Sequence, residues 1–211
     1  MFRIGIIGAG HIAEKMAATI NGMPEAEAYA VASRQYGKAA AFAGRFGFAK
    51  AFGSYEALVE DPAVDLVYVA TPHSLHYDHV RLCLGHGKAV LCEKAFMANA
   101  REAEEVTRIS EENNVFLAEA IWTRYMPFRK TLRDIVDSGA IGRPMMLSAH
   151  LGYPVADKER LVRPELGGGA LLDLGVYAIN FALMMFGSDI ADITSSCTKS
   201  DTGVDLQNSI I

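Results

Sequence analysis

The feature that most constrains this chain is a glycine-rich segment that directly follows the first apolar run, residues 3–7. Residues 8–13 read Gly-Ala-Gly-His-Ile-Ala, which fits the pattern G-x-G-x-x-A. In this pattern the first glycine permits a tight turn, the second lets a diphosphate approach the backbone, and the alanine lets a helix pack closely on a strand. A structural glycine turn is the alternative. The pattern predicts a dinucleotide site at the start of the first helix, formed by Gly8, Gly10, His11 and Ile12.

Strand-like and helix-like stretches alternate over the first half of the chain. Short apolar runs lie at 3–7, 28–32, 66–70, 89–92 and 115–118. Helix-like stretches lie at 11–21, 37–46, 55–60, 74–86 and 100–113. This alternation predicts an α/β fold with a doubly wound parallel sheet of the Rossmann type. A flavodoxin-like sheet has the same alternation and remains open.

The pattern changes after about residue 120. A helix is predicted over 124–138, a strand over 145–153, an apolar helix over 170–186 after a triple glycine, and strands over 193–198 and 206–211. We therefore expect a nucleotide-binding domain over 1–119 and an α+β substrate and dimerisation domain over 120–211, with a largely antiparallel open sheet. The chain ends within a strand-like segment, so we expect that sheet to be incomplete at its C-terminal side.

Composition indicates an ordinary globular protein. Hydrophobic residues make up 51% of the 211 residues, charged residues make up 21%, and the net charge is −5. There is no basic run, so neither nucleic acid nor a membrane is an expected partner. The three cysteines show no paired spacing, which favours a reduced, cytoplasmic protein. The most apolar run, 174–186, is shorter than the ~20 residues of a membrane span and is predicted to be a buried helix.

The end of the second strand distinguishes between cofactors. An acidic residue there would bind the ribose diol of NAD, whereas this chain has Ser33 and Arg34. A hydroxyl and a guanidinium suit a 2′-phosphate. The pattern favours NADP over NAD, and the alternative is an arginine that merely faces solvent.

Four further segments resemble the Gfo/Idh/MocA oxidoreductase family, especially its dihydrodiol and D-xylose dehydrogenase branch. They are Ala-Thr-Pro-His at 70–73 with His76, Cys-Glu-Lys at 92–94, Glu-Ala-Ile-Trp-Thr-Arg-Tyr at 119–125 and Leu-Asp-Leu-Gly-Val-Tyr at 172–177. The resemblance implies hydride transfer between NADP and a sugar- or trans-diol-like substrate. It also implies a dimer contact through the C-terminal sheet.

The resemblance further implies roles for individual residues. Lys94 matches the family's proton-transfer or substrate-orienting lysine, and Asp173 and Tyr177 match the helix motif of the catalytic site. The positions implied for the cofactor are Thr71, Pro72, His76, Glu93 and Lys94, and those implied for the substrate pocket are Trp122 and Arg124. Ala95 replaces the family's proline, which weakens the turn that would direct Lys94, and family members are longer.

The residues themselves support a chemical hypothesis. Lys94 follows a strand end, where open α/β sheets bind ligands, and burial can make a lysine amine a usable base. Asp173 and Tyr177 are four residues apart on one helical face. We hypothesise that Lys94 and Tyr177 form an acid/base pair oriented by Asp173. The alternative is that Asp173 caps the helix and Tyr177 packs in the core.

Two other interpretations remain. His76, His79, Cys83 and His86 have a spacing that could hold zinc, but the helix must bury a face against the sheet, so no metal is predicted. A non-catalytic NADP-binding regulator and an inactive truncated fragment are the alternatives to an enzyme.

Overall fold

The computed structural model describes residues 1–155 and 157–211. By their internal contacts these residues form two compact units, Met1–Ala120 and Ile121–Ile211. Each unit is described by itself below.

The first unit is a six-stranded parallel sheet with helices between the strands. Its strands are β1 (Phe2–Ile7), β2 (Ala26–Ala32), β3 (Lys50–Phe52), β4 (Leu66–Val69), β5 (Ala89–Cys92) and β6 (Leu117–Glu119). Its helices are α1 (His11–Asn21), α2 (Tyr36–Phe46), α3 (Tyr55–Val59), α4 (His76–Gly85) and α5 (Ala100–Asn113), with a 3₁₀ turn at His73–Leu75. The strand order β3-β2-β1-β4-β5-β6 confirms the Rossmann prediction and excludes the flavodoxin-like order.

Apolar side chains cover both faces of this sheet. On one face, Val69 of β4 packs with Val80 of α4 and Val106 of α5. On the other face, Ile6 of β1 packs with Ala17 of α1. The strands therefore read as nearly continuous apolar runs, because parallel strands between two helix layers have no solvent-facing side. The exception is β3, an edge strand of three residues that the apolar runs did not reveal.

The second unit combines helices with a small antiparallel sheet. It contains a 3₁₀ turn at Trp122–Tyr125, α6 (Pro127–Asp137), α7 (Glu159–Val162), a 3₁₀ turn at Pro164–Leu166, a π-helical turn at Leu171–Gly175 and α8 (Val176–Phe186). Two strands, β7 (Ser195–Lys199) and β8 (Asp205–Ile210), pair antiparallel. This unit agrees with the predicted α+β class.

The predicted strand over 145–153 is wrong. Residues 145–153 form no strand, and Met145 and Met146 are 78% and 85% exposed. A strand needs a neighbour for its N–H and C=O groups, and β7–β8 is the only sheet formed by the described residues of this unit. The apolar residues of this segment therefore did not predict its backbone conformation.

The prediction that the apolar helix is buried is also wrong. No residue of α8 is buried within this unit, and Phe186 at its end is half exposed. The described residues of this unit form a sheet of two strands, and every residue of β7 is itself exposed, so this sheet does not enclose the helix. Pro164–Phe186 is also long and apolar enough to cross a membrane by length and composition, which for one helix is weak evidence. It is interrupted by Gly167 and Gly169, both at positive φ.

Candidate nucleotide-binding and active site

The glycine turn after β1 has the geometry that a diphosphate site requires. Gly8 has φ +99°, and a Cβ atom there would lie 2.8 Å from the carbonyl oxygen of Ala70, so only glycine fits. A Cβ on Gly10 would meet no atom within 4 Å, so the space beside its backbone is open. Gly10 precedes α1, whose first residues His11 and Ile12 are exposed. This helix start therefore fits a dinucleotide diphosphate.

The turn after β2 presents a hydroxyl and a guanidinium. Ser33 is anchored to the end of β3, because its N–H donates to the carbonyl oxygen of Phe52 at 3.2 Å. Its hydroxyl oxygen accepts the N–H of Gln35 at 3.3 Å, which closes the turn around Arg34. Arg34 is exposed at the surface; burial raises the pKa of the Tyr55 hydroxyl, and the positive charge of Arg34 has the smaller, opposite effect. The turn contains no carboxylate that would suit an unphosphorylated ribose.

The loop after β4 passes beside the glycine turn. The Thr71 methyl group lies 3.3 Å from the position that a Cβ on Gly8 would occupy. The Thr71 hydroxyl is 2.9 Å from Nδ1 of His79, and Pro72 leads into the 3₁₀ turn before α4. Because parallel strands share one carboxyl edge, this loop lies on the same edge as the glycine turn.

His76 joins the loop after β4 to the loop after β5. Its side chain is fully buried, with Nε2 2.8 Å from the carbonyl oxygen of Thr71 and Nδ1 2.8 Å from that of Ala95. Burial lowers the pKa of His76 below its usual range, while the backbone hydrogen bonds act in the opposite direction. Both ring nitrogens are thus engaged by backbone groups, and a direct contact with a cofactor stays a prediction.

Lys94 follows the carboxyl end of β5, in a turn held by carboxylates. Glu93 is buried, and it accepts the Tyr68 hydroxyl and the backbone N–H of Lys94, the latter at 3.2 Å. The N–H of Phe96 donates to Glu119 at 3.0 Å, and the peptide bond between Lys94 and Ala95 is cis. These contacts, together with His76, fix the turn in which Ala95 takes the place of the family's proline.

In the second unit, predicted pocket and catalytic residues lie together. The indole N–H of Trp122 donates to the hydroxyl oxygen of Tyr177 at 3.0 Å, with the two rings edge to face. Arg124, from the same 3₁₀ turn, donates to the side-chain oxygen of Asn180 at 2.8 Å. The turn at Trp122–Tyr125 is thereby bound to the first turns of α8, and Tyr177 has an aromatic neighbour that can orient it.

Asp173 has a partner that the sequence did not suggest. Its buried carboxylate receives two hydrogen bonds from the guanidinium of Arg160, both at 3.1 Å. Asp173 lies in the π-helical turn that precedes α8, and such turns are frequent at functional sites. Asp205, and not Asp173, caps this helical segment, because it accepts the N–H of Leu171 at 2.6 Å. Asp205 also lies against Gly169, where any Cβ would collide with its carboxylate.

The histidines and the cysteine in and just after α4 have different neighbours. His79 contacts Thr71, and Nδ1 of His86 lies 2.9 Å from the carbonyl oxygen of Leu82. Burial raises the pKa of the Cys83 thiol to about 12, so the sulfur remains protonated. Within 1–155 and 157–211, no three His, Cys, Asp or Glu residues are grouped closely enough to hold a metal ion.

A Rossmann sheet with an open glycine turn, followed by an α+β unit, is typical of dinucleotide-binding proteins. Residues 2–120 match the oxidoreductase family described as GFO/IDH/MocA with an NAD-binding Rossmann fold, and residues 129–211 match the GFO/IDH/MocA C-terminal domain. The chain therefore belongs to the Gfo/Idh/MocA oxidoreductase family, as its motifs indicated.

Individual relatives agree with this assignment. The chain is 39% identical to mouse (Mus musculus) trans-1,2-dihydrobenzene-1,2-diol dehydrogenase over 212 residues, covering 99% of this chain and 64% of the relative. It is 38% identical to the human (Homo sapiens) enzyme of that name, covering 96% and 62% of the two chains. A 3-ketoreductase from Actinomadura kijaniata, solved with NADP, superposes with a TM-score of 0.84 at 30% identity, covering 98% and 63%. The chain thus spans less than two thirds of the length of these relatives.

Proposed function

We propose that this protein is an NADP-dependent oxidoreductase that transfers a hydride between the nicotinamide and the alcohol or carbonyl carbon of a sugar or trans-diol. One observation carries the proposal. The open start of α1 after Gly10 lies at the carboxyl edge of the sheet. Arg34, in a turn without a carboxylate, and Lys94 lie at the same edge. That edge offers a diphosphate seat, a partner for a 2′-phosphate and an amine for proton transfer.

The relatives support the substrate class and the cofactor. The mouse and human relatives are named as dehydrogenases of a trans-diol, and the ketoreductase was solved with NADP. A levoglucosan dehydrogenase solved with NADH shares only 23% identity, so its likeness supports the fold and not the choice of cofactor.

The proposed chemistry divides between the cofactor and the protein. When bound, the nicotinamide supplies hydride acceptance or donation. In the oxidation direction, the substrate hydroxyl proton passes to the protein, and we assign its movement to Lys94 and Tyr177. Trp122 orients the Tyr177 oxygen and, by donating to it, stabilises negative charge there. Arg160 neutralises Asp173, which keeps this carboxylate fixed beside the helix start.

Parallel titration with NADP⁺ and NAD⁺ tests the cofactor assignment. We expect NADP⁺ to bind at least about tenfold more tightly, because one charge-assisted phosphate contact contributes more than ~1.4 kcal/mol. Arg34→Ala removes that preference if the assignment is correct. Equal affinity for both nucleotides, or an unchanged preference in Arg34→Ala, would contradict it.

Measuring turnover distinguishes an enzyme from a non-catalytic regulator. A panel of pentoses and trans-diols is screened for NADP⁺ reduction, and Lys94→Met is compared with Lys130→Met, which changes an exposed lysine on α6. We expect Lys94→Met to lose at least about a hundredfold in kcat and Lys130→Met to lose nothing. Tight NADP⁺ binding without turnover of any substrate would support the non-catalytic regulator instead.

Two broader expectations also belong to the proposal. The protein acts as a homo-oligomer through its C-terminal sheet, and it functions in the cytoplasm. Light scattering in solution and imaging of a tagged full-length gene product test them. A strictly monomeric active enzyme would contradict the first, and residence in a secretory compartment would contradict the second.

A further inference from the structure

Arg160 lies on α7, a short helix that backbone contacts hold in place. The N–H of Gly169 donates to the carbonyl oxygen of Leu161 at 3.0 Å. A Cβ on Gly168 would lie 2.7 Å from the same oxygen, so only glycine lets the loop come this close. In addition, the hydroxyl of Thr202, in the turn between β7 and β8, donates to the carbonyl oxygen of the last residue of α7 at 2.7 Å. The helix that carries Arg160 therefore has a fixed place in the second unit.

The Arg160 side chain extends from α7 to the π-helical turn. Both terminal nitrogens of its guanidinium donate to Oδ1 of Asp173 at 3.1 Å. Asp173 is only 6% exposed. Removing the cationic partner of a buried carboxylate is strongly destabilising, because the charge has left water without compensation. The ion pair therefore favours the backbone conformation that keeps Asp173 beside Arg160.

The π-helical turn determines where Tyr177 points. A π turn forms i→i+5 hydrogen bonds and so contains one residue more than an α turn, which corresponds to a rotation of about 100° around the helix axis. Tyr177 comes directly after this turn, at the start of α8, and its hydroxyl accepts the indole N–H of Trp122 at 3.0 Å. Conversion to an α turn would rotate Tyr177 by this angle relative to the residues before the turn. Its contact with Trp122 thus depends on the π turn.

We propose that Arg160 is a positioning residue, which stabilises the π turn through its ion pair with Asp173 and thereby directs the Tyr177 hydroxyl toward Trp122. The inference deepens the proposed function, in which Tyr177 is one of two residues that move the substrate proton. It rests on that function only for its effect on turnover. Arg160 acts through Asp173 and Tyr177 and is not assigned a contact with the substrate.

The fluorescence of the full chain tests this inference, because Trp122 is the only tryptophan among the 211 residues. Tyr177→Phe gives the reference spectrum of an indole that has lost its partner. We expect Arg160→Met to move the emission maximum most of the way to that reference. Arg160→Lys should move it less, since lysine keeps the positive charge but not the planar fork. In the Tyr177→Phe background, Arg160→Met should have no further effect.

Arg163→Met is the matched control. Arg163 follows α7, and its half-exposed side chain pairs with Glu159 at 2.8 Å and with Glu165 at 3.5 Å instead of with the π turn. We expect this variant to keep the spectrum of the parent protein. A parent-like spectrum in Arg160→Met would overturn the inference. An equal shift in Arg163→Met would also overturn it, because the shift would then reflect a general loosening of this segment.

A double variant covers the case in which Arg160→Met alone does not fold. Combining Arg160→Met with Asp173→Leu removes both charges and replaces them with apolar groups of similar size, which proteins commonly tolerate. Circular dichroism checks that the helices are retained. We expect this double variant to give the Tyr177→Phe spectrum, and the parent spectrum would overturn the inference.

Turnover distinguishes this inference from the proposed function. We expect Arg160→Met to lower kcat about tenfold and to leave KM within about twofold, because the displaced hydroxyl is a group that moves the proton. If Arg160→Met shifts the Trp122 emission while Tyr177→Phe leaves kcat unchanged, the positioning role stands and the assignment of Tyr177 in the proposed function fails. If Tyr177→Phe lowers kcat while Arg160→Met changes neither emission nor kcat, the positioning role is overturned and the proposed function stands.

Discussion

His76 and Ala95 are joined by a contact of 2.8 Å between Nδ1 and the backbone carbonyl oxygen, and Ala95 directly follows Lys94. The second ring nitrogen meets the carbonyl oxygen of Thr71 at the same distance. Carbonyl oxygens only accept hydrogen bonds, so satisfying both requires both ring nitrogens to donate. Burial disfavours that charged form, so burial and the hydrogen bonds change the pKa of His76 in opposite directions.

The first prediction concerns this contact. His76→Ala should lower the free energy of unfolding by about 3 kcal/mol, since it leaves a cavity and strips partners from buried carbonyl groups. Urea denaturation measures the change. His86→Ala, at an exposed position on the end of α4, should stay within ~0.5 kcal/mol of the parent protein. A similarly small effect at His76 would show that the two loops hold together without it.

The second prediction concerns acid stability. The pKa of His79 in the folded protein is about 4, below its ordinary value of 6.5. Between these values the unfolded chain binds a proton that the folded chain does not, so stability falls as pH falls from 6.5 toward 4. Because His79 is partly exposed, we expect it to account for only about 1–2 kcal/mol. His79→Phe should flatten the unfolding free energy over this range, and an equally steep curve would refute the assignment.

The third prediction separates two glycines of one motif. Gly8→Ala should destabilise the fold by about 2–3 kcal/mol, because φ is +99° and the new methyl group would lie 2.8 Å from the Ala70 carbonyl oxygen. Gly10→Ala should leave stability within ~0.5 kcal/mol, since nothing lies within 4 Å of the added atom.

Gly10, which matters little for stability, should matter for nucleotide binding. Gly10→Ala should weaken NADP⁺ binding at least about tenfold, because the methyl group occupies the space through which the diphosphate reaches the backbone. Thermal unfolding with and without NADP⁺ measures both properties in one experiment. Undiminished stabilisation of Gly10→Ala by NADP⁺ would place the diphosphate elsewhere.

The fourth prediction concerns the neighbour of the proposed catalytic tyrosine. Trp122→Phe keeps an aromatic ring but removes the N–H that donates to Tyr177 at 3.0 Å. We expect kcat to fall about tenfold and the pH–rate profile to shift, with stability little changed because Trp122 is 56% exposed. In the Tyr177→Phe background the same substitution should have no further effect. Additive losses would mean that Trp122 acts independently of Tyr177.

The first unit could be predicted from the sequence because its signals are local. The glycine turn and the apolar runs each depend on residues close together in the chain. The short strand β3 escaped notice, since an edge strand of three residues leaves little periodic signal. In the second unit, the segment 145–153 was misread because apolar residues do not form a strand without a partner.

The sequence missed Arg160 for a physical reason, because its partner Asp173 lies 13 residues away in sequence. Such pairs arise from the sheet order and from the loop geometry, which no local pattern encodes. His76 was expected near the cofactor because of its motif, and only the structure revealed its two backbone partners.

The two apolar layers of the parallel sheet come from residues of the first unit alone. The first unit therefore has an apolar core of its own, as an independently folding domain has. Substitutions in the later half leave the residues of this core and of the glycine turn unchanged. Under the proposed function, a lineage built on this plan can exchange one substrate for another while the same nucleotide continues to fit.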